Sequence, residues 1–194
     1  YDLLEAERAA MPISAEDTPR WADAILEGLR ANPDEEWSTR VRAYEEAGSL
    51  YWRANDFENA APIFMGLWQE AESRNDSGEA VRSLDNLINL YGEADFPAQD
   101  VLDFYDATEA WLQNPPPGEE DKYAGMTAEL WGERASRLRV FAEKADSEAA
   151  REAYLREADY FEQLRDGGQP VSRAPGKSLK DIAAASRLAN HAAA

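Results

Sequence analysis

Thirty-nine carboxylates and a single imidazole are what this chain offers for chemistry: Asp and Glu total 39, His191 is the one histidine, and there is no cysteine. Without cysteine there is no thiolate nucleophile, no disulfide and no cysteine-ligated zinc. A di-metal centre in a helical bundle draws Glu-x-x-His pairs from facing helices, which one histidine cannot supply. Paired carboxylates act as general acid and base when their surroundings drive their pKa values apart. In a chain this acidic such pairs arise anywhere, and no subset stands out. The run Ala174-Pro-Gly-Lys-Ser178 ends as a phosphate-binding loop does, but Val171 stands where that loop needs its first glycine, and no strand precedes it. Lys177 therefore reads as a solvated residue at a helix start. Asn75-Asp-Ser77 matches a glycosylation acceptor and carries no weight without a secretory context. The expectation is a protein that is not an enzyme and holds no cofactor or metal.

The charge points to partners instead. Of the formal net charge of −19, residues 1–133 hold −21 and residues 134–194 hold +2. Such a field repels phosphates, so nucleic acid is not expected as a partner, whereas proteins with basic surfaces are favoured. No apolar run approaches the roughly 20 residues that cross a bilayer. The first residue is Tyr1 rather than methionine, which leaves an upstream signal or domain open. A cytoplasmic location is expected, with export as the alternative.

Apolar residues recur at spacings of three, four and seven almost throughout, with no period-two alternation, so the fold class expected is all-α. Thr18 as N-cap, Pro19 in the first turn, and Asn32-Pro33 at the end bracket a helix over 19–31. A second follows over 35–54. At Asn55-Asp56 the chain is expected to double back, since Asn accepts the left-handed backbone that ends a helix and Asp caps the next. The returning helix shows Phe57, Ala60, Ala61, Phe64, Leu67 and Trp68 on one face, and carries Pro62 inside it at a cost of about 3 kcal/mol unless it bends. A further helix carries Leu84, Leu87, Ile88 and Tyr91. It turns at 92–95 into one that begins around Pro97 and presents Val101, Phe104, Tyr105, Trp111 and Leu112. The proline run from Asn114 reads as a rigid break between two halves. Beyond it lie a long helix through Tyr123, Leu130, Trp131, Leu138 and Phe141, and another, capped by Asp146 or Ser147, through Tyr154 and Phe161. Residues 166–176 have linker composition, and 177–194 read as a short C-terminal helix or basic tail with Ser178 and Asp181 spaced as a capping box.

Tyr44-x2-Ala47-Gly48-x2-Tyr51, followed after eight residues by Ala60-x3-Phe64, resembles the tetratricopeptide repeat. Small residues stand where two helices approach closely, and large ones stand beside them. The resemblance covers 41–74 best and extends, more loosely, to units at about 79–112 and 124–165, making 1–165 one array of antiparallel helical hairpins. It implies a protein–protein interaction scaffold that holds a peptide or partner helix on its concave face. The partner-binding residues it implies are Arg42, Glu45, Ser49, Trp52 and Arg53 in the first unit, Arg82, Asp85 and Asn89 in the second, and Arg139 in the third. The arginines could grip a carboxylate through their planar fork of donors. The alternative is that they pair with acidic neighbours on solvated helix faces and that Trp52 packs against a neighbouring hairpin. A second functional reading is a structural subunit docked permanently in a larger assembly, with the basic C-terminal tail as a contact segment. The partner and the oligomeric state are left open.

Overall fold

Helical periodicity is realised along the whole described chain. The computed structural model describes residues 17–94 and 96–167, and among these residues there are seven α-helices and no strand. They are α1 (Thr18–Ala31), α2 (Trp37–Arg53), α3 (Phe57–Ser73), α4 (Ser77–Glu93), α5 (Ala98–Leu112), α6 (Glu120–Glu143) and α7 (Glu148–Arg165). The chain divides into two compact units between Ala94 and Asp95. The first unit packs α1 on α2, α2 on α3 and α3 on α4; in the second, α6 packs on both α5 and α7.

Two corners in the first unit are built from the same dipeptide. Asn55 and Asn75 have φ of 58° and 55°, the left-handed backbone that Asn tolerates better than other side chains. At the first corner Asp56 N–H donates to Tyr51 O (2.9 Å) and Asn55 N–H to Trp52 O (2.8 Å), the paired bonds of a Schellman ending. At the second, Asp76 N–H donates to Ala71 O and Asn75 N–H to Glu72 O, both at 3.0 Å. Each Asp then caps the following helix: Asp56 accepts from Asn59 N–H (3.3 Å) and Asp76 from Glu79 N–H (3.1 Å). One residue thus closes one helix and opens the next, the cap contributing about 1 kcal/mol.

Between the corners, close packing follows from side-chain size. Gly48 lies under the ring of Phe64, so near that a Cβ on it would stand 2.7 Å from Phe64 Cζ. Phe64 and Leu67 on α3, with Ala43 and Ala47 on α2, are shut away from solvent. Pro62 does not interrupt α3. Its ring is exposed, but it has no N–H for the Glu58 carbonyl, so the helix carries the cost without a break.

The second unit is centred on a buried cation. Arg134 on α6 is 3% exposed. It donates to Asp106 of α5 at 2.6 Å, reaches Glu109 at 3.9 Å and Glu157 of α7 at 3.5 Å, and lies 4.2 Å over the ring of Phe161. Trp131 Nε1–H adds a bond to Glu109 at 3.1 Å. One side chain therefore joins all three helices.

Several sequence expectations shift. Asp17, not Thr18, precedes α1, and Thr18 is buried in its first turn. Pro97 occupies the N-cap rather than the first turn of α5, because its φ of −54° and ψ of 129° are extended. Gly92 belongs to α4, which runs to Glu93. Ser147 rather than Asp146 caps α7, accepting from Ala150 N–H. The proline run lies within the second unit, as the connector between α5 and α6, and the division falls earlier, between α4 and α5. The two helices expected to make a unit over 79–112 thus belong to different units. Helices α2 and α4 start 40 residues apart, at Trp37 and Ser77, against the 34 of the tetratricopeptide pattern. The expected tail at 177–194 and most of the linker lie outside the described residues.

Candidate interaction face on helix α2

Side chains separated by three, four, seven and eleven residues share one side of an α-helix. On α2 that spacing gathers Arg42, Glu45, Ser49, Trp52 and Arg53, which with Glu46 line a shallow concavity of about 600 Å³. Arg42 makes no ion pair among the described residues. Arg53 turns its Nε–H back to Ser49 O at 3.2 Å, which leaves its two terminal nitrogens unpaired among those residues.

Three side-chain pairs hold α2 against α4 at its start, middle and end. Trp37 Nε1–H donates to Asp76 at 2.9 Å, Arg82 meets Glu45 at 3.5 Å, and Trp52 Nε1–H donates to Glu93 at 2.7 Å. Trp52 also stands edge-on to Phe64, ring centroids 6.0 Å apart. Its indole is therefore partly committed to packing, and one flank remains in the concavity. Burial pushes the Glu79 carboxyl above its ordinary range, with Arg82, 3.2 Å away, pulling the other way.

The start of α2 is fixed against the end of α3. Arg40 meets Glu70 through both Nε (2.8 Å) and Nη2 (2.7 Å), and Arg74 joins the same carboxylate at 2.8 Å while stacking on Trp37. Arg40 first, then Arg74, holds the Glu70 carboxyl below its ordinary 4.5 against the opposing pull of burial. A carboxyl lowered by folding contributes stability that is full above its unfolded pKa and is lost as pH falls through the folded value. Glu70→Gln should therefore cost about 2 kcal/mol at pH 7, and much less in urea titrations run well below pH 4.5.

The other candidates fall into different settings. Arg82 is engaged by Glu45 and Glu79. Asp85 and Asn89 stand one turn apart on α4, where burial pushes the Asp85 carboxyl above its ordinary range and Asn89 pulls the other way. Arg139 lies in the second unit and pairs with Asp159 (3.1 Å) and Glu162 (2.8 Å) of α7, which raises its pKa further. Among the described residues no group of three or more metal-ligating side chains is placed to hold a metal ion, and no helix is long and apolar enough to cross a membrane.

No family model, curated protein or solved structure matches this chain. The site accordingly stands on its own geometry. Glu46 and Glu93 belong to it although their sequence setting does not single them out. Glu46 could have been found as the residue one turn beyond Arg42, whereas Glu93, 41 residues from Trp52, carries no local signal.

Proposed function

We propose that this chain is a protein–protein interaction scaffold of tetratricopeptide-like helical hairpins, in which α2 presents a binding face to a peptide or partner helix. It binds rather than catalyses. The observation that carries the reading is a pair of guanidinium groups with no ion pair among the described residues, Arg42 and Arg53, three helical turns apart and bracketing Glu45, Ser49 and Trp52 in one concavity. In a chain of net charge −19, two cations without an acidic partner among the described residues, set beside an indole, form a local recognition point for carboxylates of a partner. Charge-assisted hydrogen bonds of this kind contribute about 1.5–3 kcal/mol each.

The test is capture of partners through a photo-crosslinking residue at Ser49, in a lysate of the native source, with and without Arg42→Glu and Arg53→Glu. Both arginines are exposed, so the double variant should melt as the parent does while crosslinked partner falls at least about tenfold. A partner captured undiminished by the double variant removes α2 as the binding face.

A further inference from the structure

A second concavity in the first unit, about 530 Å³, is walled by α1 and α3 over α2. Both walls run antiparallel to α2: Tyr51 O–H, near the end of α2, donates to Asp23 near the start of α1 at 2.6 Å, and Arg40, near the start of α2, holds Glu70 near the end of α3. Helices α1 and α3 therefore point the same way. The floor between them is apolar, made by Leu26, Leu29, Tyr44 and Ile63. Asp23 and Asn59 come from the first halves of α1 and α3, and Arg30 comes from the last turn of α1, within electrostatic reach of the Tyr51 hydroxyl; Arg40 of α2 also lines the groove, its guanidinium held by Glu70. Asp23 keeps Oδ2 unbonded among the described residues, and Arg30 makes no ion pair among them.

Two residues of α3 work against their own helix, and both line this groove. Pro62 removes a backbone donor, and Gly66, one turn on, withholds a side chain. Gly66 is not required by packing, since a Cβ there would meet only Tyr44 Cε1, at 3.9 Å. Local rules broken without a structural reason mark sites kept for another purpose.

We propose that this groove is a docking site for one amphipathic helix of a partner protein, lying antiparallel to α1 and α3 and presenting Glu-x-x-Leu-Leu-x-x-Lys along its buried stripe. Seven residues of helix rise about 10 Å, the same interval that separates Asp23 from Arg30 along α1. A carboxylate at the start of the stripe meets Arg30, and an ammonium at its end meets Asp23 and Asn59. The two leucines between them cover Leu26 and Ile63 and fill the space over Gly66. The antiparallel sense sets the incoming helix dipole against the two parallel ones and keeps the acid in its first turn.

The probe is a fluorescein-labelled, hydrocarbon-stapled helical peptide carrying that stripe, titrated by anisotropy against the full chain. Saturable binding is expected, with the reversed order Lys-x-x-Leu-Leu-x-x-Glu about tenfold weaker or worse. Gly66→Leu should fill the groove and abolish binding while its melting temperature holds or rises. Asp23→Lys combined with Arg30→Glu should invert the preference between the two peptides. Arg42→Glu with Arg53→Glu should leave binding unchanged, which separates this groove from the α2 face. The proposal is overturned by absence of saturable binding, by equal binding of both orders, or by Gly66→Leu binding as the parent does. It is equally overturned by loss of binding in the Arg42/Arg53 variant, or by binding that appears only after removal of residues 1–16, which would assign the groove to this chain's own leading segment.

Discussion

Phe64→Ala should cost about 4 kcal/mol, the range for emptying a buried aromatic site. The ring is 1% exposed, covers Gly48 and supports Trp52. The same contact predicts a reversal of sign at position 48. In the parent, Gly48→Ala places a Cβ 2.7 Å from Phe64 Cζ, inside any real contact distance, so the buried ring must shift within the core to admit it. The expected net loss is about 1–2 kcal/mol, overpacking outweighing the gain in helix propensity. With Phe64 already Ala, the clash is gone and Gly48→Ala should add about 1 kcal/mol of stability. A double-mutant cycle by urea unfolding measures the difference, and additivity within about 0.5 kcal/mol would mean that the two residues do not share the contact.

Arg134→Ala should cost about 3 kcal/mol, because it leaves a cavity beside Phe161 and strips the cation from three carboxylates drawn from two other helices. Arg134→Met should recover most of that loss. The methionine keeps the packing on Phe161 without the desolvation of a guanidinium; of the three freed carboxylates Asp106, half exposed, returns to water at little expense and Glu109 keeps the Trp131 N–H, which leaves Glu157 as the unrecovered part. For a unit of this size each kcal/mol corresponds to about 4–8 °C, so thermal unfolding followed by circular dichroism separates the two variants easily. Equal losses for Ala and Met would place the stabilisation in the ion cluster rather than in packing.

The all-α class was legible because apolar spacing is a property of neighbouring residues. So was the corner at Asn55-Asp56, where Tyr51-Trp52 before and Phe57 after mark a change of helix face. The identical dipeptide at Asn75-Asp76 is harder to read. Its flanks, Glu72-Ser73-Arg74 and Ser77-Gly78, are polar or small, and a glycosylation pattern overlies it. The unit boundary was hidden for another reason: consecutive prolines look like a separator, yet a short rigid connector lets α5 and α6 close on each other, whereas the division near Ala94 has no compositional mark. The stripe on α2 could be read from helical spacing alone. The commitment of Arg82 to Glu45 and of Arg139 to Glu162 could not, since partners 37 and 23 residues away are chosen by packing. The groove over Tyr44 was equally silent, because Pro62 reads as an expense until α1 is seen beside it.

The two Asn-Asp corners also bear on how the first unit assembles. Each reversal is encoded within about six consecutive residues, so the chain can turn back before any distant segment arrives. Closing such tight loops takes well under a microsecond, and topologies dominated by near-neighbour encounters reach the native state in microseconds to milliseconds. Local closure at positions 55 and 75 is therefore the expected starting point for bringing α2, α3 and α4 together, and folding φ-values of about 1 at the two Asn-Asp corners would show it.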